Sequence, residues 1–215
     1  MDPLPPYTAV VLAGGKAARL GGQAKPQLEV GGRTMLSVVL AAVEDAERRV
    51  VVGPEQPVPA GVVLVRERPP GGGPVTALRA GLDEVSTETV AVLAGDLPFL
   101  TASLIADLRR SLTSDGTLVV DDTGRDQLLL GCWRTAAVRR AVGDATGPTS
   151  LRRVFAPLAV RRIRPVPAPG IPPPWLDCDT PADLARARTL ADGGQTPGPP
   201  GPAVLPTAPR PPGSG

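Results

Sequence analysis

Short aliphatic runs recur along the chain at Ala9–Leu12, Val50–Val52, Val62–Val65, Val90–Leu93, Leu118–Val120, Leu128–Leu130 and Val160–Ile163. Such runs, uninterrupted by polar residues except at Arg161 and Arg162, have the lengths and compositions of buried strands. Between them the hydrophobic period becomes that of a helix. Thr34–Ala46 carries Met35, Val38, Val39, Ala42 and Val43 on one stripe, and Thr101–Leu112 opens on a capping threonine with Leu104, Ile105, Leu108 and Leu112 at helical spacing. Pro74–Leu82 and Thr135–Val142 read as further helices. Thr180-Pro181-Ala182-Asp183 supplies an N-cap, a proline at the first helical position and an acid at the third, opening a last helix that runs to about Leu190. This alternation predicts an α/β fold of three layers, a mainly parallel sheet with helices on both faces. Ligands in such sheets bind beyond the carboxyl ends of the strands, which directs attention to the loops after Leu12, Val52, Val65 and Leu93.

Composition changes the picture at the C-terminus. Residues 191–215 contain 8 Pro and 6 Gly among 25 residues, too little apolar surface to offset the entropy of ordering. The 215 residues therefore divide into one domain, 1–190, and a Pro/Gly-rich tail, 191–215, expected to be disordered. A second proline cluster, Pro165 to Pro174, lies inside the domain and is expected to cross its surface as an extended loop.

The chain has no histidine. That removes Ser-His-Asp and Cys-His nucleophilic machinery and any His-ligated metal. Chemistry must rest on carboxylates, lysine, arginine, backbone amides or a hard cation held by oxygens. A net charge of +2 and only five Phe, Trp and Tyr residues (2, 2 and 1) argue against nucleic acid as a partner. Cys132 and Cys178 form no metal-ligand pattern and read as small buried hydrophobes in a reducing compartment. With no basic leader and no apolar run of membrane length, a cytoplasmic protein with no membrane partner is expected.

The segment after the first strand, Leu12-Ala13-Gly14-Gly15-Lys16-Ala17-Ala18-Arg19-Leu20-Gly21-Gly22-Gln23-Ala24-Lys25, combines glycines that admit a ligand close to the backbone with three cations suited to a polyphosphate. It is neither a P-loop nor a dinucleotide fingerprint. The segment resembles L-A-G-G-x-x-x-R-[ML]-G-x-x-K, the signature loop of the NTP-transferase superfamily, with one further residue before Lys25. Within that group the chain is most similar to the MobA-like molybdenum cofactor guanylyltransferases, over about residues 8–190. Four further segments match in order: Gly31-Gly32-Arg33-Thr34-Met35-Leu36, Gly72-Gly73-Pro74-Val75-Thr76-Ala77-Leu78, Ala94-Gly95-Asp96-Leu97-Pro98-Phe99-Leu100, and Asp177-Cys178-Asp179-Thr180-Pro181-Ala182-Asp183-Leu184.

The resemblance implies a Rossmann-like nucleotide-diphospho-sugar transferase fold. It also implies transfer of GMP from GTP to molybdopterin with release of pyrophosphate. Leu12, Ala13, Gly14, Gly15, Arg19, Lys25, Glu67 and Asp96 would bind the nucleotide, with Arg19, Lys25 and Asp96 carrying catalysis and Asp96 holding Mg²⁺. Asp177 and Asp179 would meet the acceptor or a second metal. Molybdoenzyme maturation proteins are implied as further partners. Two departures keep alternatives open. Family members carry asparagines where Asp177 and Asp179 stand, and acidic versions look more like the cytidylyltransferase branch or some sugar-phosphate enzymes. The family's guanine-contacting asparagine falls near Gly53 and its aspartate near Glu67 or Arg68, of which Glu67 could accept from the guanine edge and Arg68 could not. A non-catalytic nucleotide-binding regulator is the alternative of another class. Trp133 and Trp175 are expected as core or loop anchors, and Asp183 as a capping acid.

Overall fold

The structure, a computed structural model, describes residues 3–14, 19–20, 23–145 and 149–193, with Arg19, Leu20 and Gln23 described by backbone alone. The elements in chain order are β1 (Tyr7–Leu12), β2 (Arg19–Leu20), β3 (Gln23–Ala24), a 3₁₀ turn (Lys25–Gln27), β4 (Glu29–Val30), β5 (Arg33–Thr34), α1 (Met35–Ala42), β6 (Arg48–Val52), β7 (Val62–Val65), α2 (Pro74–Leu82), β8 (Thr89–Ala94), α3 (Ala102–Arg110), β9 (Gly116–Val120), β10 (Asp126–Arg134), α4 (Thr135–Gly143), α5 (Leu151–Phe155), β11 (Val160–Ile163) and α6 (Pro181–Ala191).

Seven strands form one sheet in the order β11-β9-β10-β8-β1-β6-β7, and each contains one of the seven aliphatic runs. All its pairings are parallel except those of β10, which runs antiparallel to both β8 and β9. Strand alternation divides the core. Tyr7, Ala9 and Val11 of β1 face α1 and α3, while Val10 and Leu12 face α2, α4 and α5. The second layer encloses the Trp133 indole, whose ring centroid lies 4.4 Å from that of Phe155. Both tryptophans are buried, Trp175 in the first layer, as core and loop anchors should be.

Side-chain caps set several helix starts. Thr34, Thr101, Ser150 and Thr180 each accept a hydrogen bond from a backbone N–H in the first turn. Helix α1 stops at Ala42, short of the predicted Ala46, because the chain turns there to bring Arg48 beside Thr8 and the Glu47 N–H onto the Tyr7 carbonyl. The five-residue α5 escaped the sequence reading, being shorter than two helical turns. The segment from Pro165 to Pro174 has neither strand nor helix and exposes Val166 and Ile171. Of the tail, residues 194–215 lie outside the described residues. Among the described residues no helix is long and apolar enough to cross a membrane.

Strand order reverses at β1. The connection through α1 leads outward to β6 on one face, and the connection through α2 returns across the other face to β8. The carboxyl ends of β1 and β8 therefore diverge into a crevice.

Candidate active site

That crevice is a cavity of about 550 Å³. Leu12, Ala13, Gly14, Lys25, Glu67, Asp96 and Asp179 line it together, so seven of the sequence-selected residues meet in one place. The Arg19 backbone pairs with Ala24, immediately before Lys25, while Gly15 and Lys16 lie outside the described residues.

The loop after β1 is held by close backbone packing. Ala13 N–H donates to the Val52 carbonyl at 2.8 Å and Gly95 N–H donates to the Leu12 carbonyl at 3.0 Å. A Cβ on Gly53 would lie 2.7 Å from the Ala13 carbonyl oxygen, so only glycine lets β6 support the loop this closely. Gly53 is thus pressed against the loop. The neighbouring Gln56 was not singled out by its sequence, since it sits in a short polar connection with no period. Its Nε2 donates to the Ala13 and Pro54 carbonyls, each at 3.3 Å, and its Oε1 accepts from Gln27 Nε2 at 3.0 Å. Gln56 thereby ties the glycine loop to the 3₁₀ turn that carries Lys25.

Lys25 is 8% exposed, unusual for an ammonium without partners. Its partners are two carboxylates: Nζ lies 2.6 Å from Asp96 Oδ2 and 2.5 Å from Asp179 Oδ1. Burial works against the charged form of Lys25, but hydrogen bonds to Asp179 and Asp96 outweigh it and raise the pKa above its ordinary value. A satellite core explains the convergence. Leu28 from the Lys25 segment, Phe99 from the Asp96 loop, and Leu176 and Cys178 from the terminal segment all pack with Met35 of α1 and Leu184 of α6. Cys178 is fully buried there, its thiol pushed up to about 12 chiefly by burial. The residues on either side of it, Asp177 and Asp179, are exposed. Desolvation and the nearby Asp179 and Asp96 carboxylates raise the Asp177 pKa.

The opposite wall is built by the start of α2. Gly73, at φ +89 and ψ 178, adopts a conformation open essentially to glycine alone and hands the chain to Pro74 at the first helical position. Glu67 Oε1 accepts from the Gly71 N–H at 2.9 Å, bracing this loop at the cavity edge. A register shift in β10 between Gln127 and Gly131 turns Leu129 into the cavity. No sequence signal marked that bulge.

At the far end of the terminal segment, Asp183 caps α6. Thr180 Oγ1 accepts from the Asp183 N–H at 3.2 Å, and Asp183 Oδ2 accepts from the Thr180 N–H at 2.7 Å.

The sequence profile of the MobA-like NTP transferase domain matches residues 9–163. The chain is 30% identical over 206 residues to the molybdenum cofactor guanylyltransferase of Nitrobacter hamburgensis, covering 89% of this chain and 98% of that protein. It is 31% identical over 186 residues to the Rhodobacter capsulatus protein of the same name, covering 83% and 93%. Among solved structures, molybdopterin-guanine dinucleotide biosynthesis protein A from Archaeoglobus fulgidus superposes with a TM-score of 0.64 at 18% identity, covering 86% of this chain and 98% of that one. Sequence profile, relatives and crevice agree: the chain belongs to the MobA-like NTP transferase domain family.

Proposed function

We propose that this protein transfers GMP from GTP to molybdopterin, releasing pyrophosphate and forming molybdopterin guanine dinucleotide for handover to molybdoenzyme maturation proteins. One observation carries the reading. The Lys25 ammonium and the Asp96 carboxylate stand together under the glycine loop, at the carboxyl ends of β1 and β8, in a cavity sized for a nucleotide. The names of the relatives support guanine as the base and molybdopterin as the acceptor.

In this reaction a phosphate monoester oxygen of the acceptor attacks the α-phosphorus of GTP, and the bond to the β-phosphate breaks. The attacking phosphate has a second pKa near 6 and is mostly ionised at neutral pH. No general base is required of a chain that contains no histidine. The protein's task is positioning and charge neutralisation. Lys25 and Arg19 would hold the triphosphate, the glycine-loop amides would approach its oxygens, and Glu67 would accept from the guanine edge.

The donor set suits a hard cation shared with substrate. Asp96 turns Oδ2 to Lys25, and among the described residues no group of three or more His, Cys, Asp or Glu could hold a metal unaided. Mg²⁺ would sit on Asp96 with substrate phosphates completing its shell, with Asp177 and Asp179 available for the acceptor or a second ion; when bound it would supply charge neutralisation at the phosphates.

The test is pyrophosphate release by the purified protein with each of four NTPs, Mg²⁺ and molybdopterin. Turnover with GTP alone is expected, and chelation of the cation should stop it. A CTP preference would instead select CMP transfer, the reading that the paired aspartates favour. Turnover only with sugar phosphates would reassign the acceptor, and nucleotide binding without turnover would indicate a regulator.

A further inference from the structure

Lys25 answers to two carboxylates that differ in their access to water. The Asp96 side chain is 17% exposed and the Asp179 side chain 71%, yet both lie at bonding distance from the same Nζ. Lys25, Asp96, Asp177 and Asp179 together carry one positive and three negative charges. An incoming triphosphate adds more negative charge and needs Lys25 for itself. One carboxylate must give way, and the exposed one can be rehydrated at least cost. Asp179 also needs no backbone movement to leave. Its neighbour Cys178 is fully buried in the satellite core, and the capping box fixes the chain just beyond it, so rotation of the side chain suffices.

We propose that Asp179 is an exchangeable counter-ion. Its carboxylate holds the Lys25 ammonium at Asp96 in the nucleotide-free enzyme and yields that place to the triphosphate. Lys25 is thereby kept oriented without being left as an unpaired buried charge, and Asp179 is released toward the acceptor side only after nucleotide has bound. Asp179 is a positioning residue in this scheme, acting through Lys25. The inference rests on the proposed nucleotide reading, and it gives the departure from asparagine at this position a function.

The experiment compares wild type, Asp179→Asn and Asp177→Asn by calorimetric titration with inorganic tripolyphosphate and with GTP, both with the metal chelated. Asp179→Asn removes the competitor charge, so it should tighten both ligands about fivefold, the scale of one partly exposed ion pair. Asp177→Asn removes the same charge without a bond to Lys25 and should change affinity by less than half as much. Unchanged or weaker binding by Asp179→Asn overturns the proposal, and so does equal tightening by the two variants, which would reduce it to bulk charge. Wild type that binds neither ligand would remove the nucleotide reading and this inference together. Wild-type binding with an unmoved Asp179→Asn removes the inference alone.

Discussion

The Nζ of Lys25 stands 2.6 Å from Oδ2 of Asp96, with both side chains largely withdrawn from water. An ion pair so placed is screened far less than a surface pair, and each partner depends on the other for its charge to be tolerated. Asp96→Ala should lower pyrophosphate release about 10²–10³-fold or more. The fold should survive, because Lys25 keeps Asp179 as a partner. Steady-state rates and a thermal melt check both halves, and a wild-type rate would show that Asp96 is not at the reacting phosphates. Lys25→Ala should behave differently, losing turnover and also about 1–3 kcal/mol of stability, because three carboxylates would then face one another.

Gly53 supports the glycine loop by having no side chain. In Gly53→Ala the new Cβ would meet the Ala13 carbonyl oxygen at 2.7 Å and its carbon at 2.9 Å, both backbone atoms that can move only if the loop moves. A loss of about 1–3 kcal/mol in urea unfolding is expected. Nucleotide affinity should fall with it, about tenfold by titration. Unaltered affinity would mean that the loop does not touch the ligand.

The capping box at Thr180 and Asp183 gives a pH-dependent prediction. Hydrogen bonds from the Thr180 hydroxyl and backbone N–H hold the Asp183 carboxyl below its ordinary pKa. A carboxyl depressed on folding contributes stability above its unfolded pKa, and that contribution is lost as pH falls through the folded value. Thr180→Ala should therefore cost about 1 kcal/mol at pH 7 and progressively less below about pH 4. Melting curves of both proteins between pH 2.5 and 7 measure the convergence.

Both thiols are buried, and burial pushes each up to about 12. Neither should react with a disulfide reagent at pH 8 in the native state, whereas both should react at once in denaturant. Rapid native labelling at Cys178 would show that the satellite core opens.

Much of the fold is legible in the sequence. All seven strands of the sheet and five of the six α-helices among the described residues follow from period and capping, because each element's apolar face is written locally in its own residues. The five-residue α5 and the bulge in β10 were not readable, since one is too short to display a period and the other depends on which strand pairs with which. Within the site, Gly14, Lys25, Asp96 and Asp179 were selected from loop chemistry and resemblance. Gln56 and Leu129 were not, because a polar residue in a loop and a leucine in a strand look ordinary until their neighbours are known.

By itself the sequence determined the layered α/β architecture, the absence of histidine chemistry and the residues worth watching. Only the tertiary structure decided that Asp179 reaches Lys25 across 154 positions, that Gly53 bears on Ala13, and that Glu67 braces the Gly71 loop at the cavity edge. The physical reason is range. Periodicity and capping act over one or two turns of chain, whereas the Lys25 site is assembled by a satellite hydrophobic core whose members come from three distant segments and meet only when the sheet has closed its crevice.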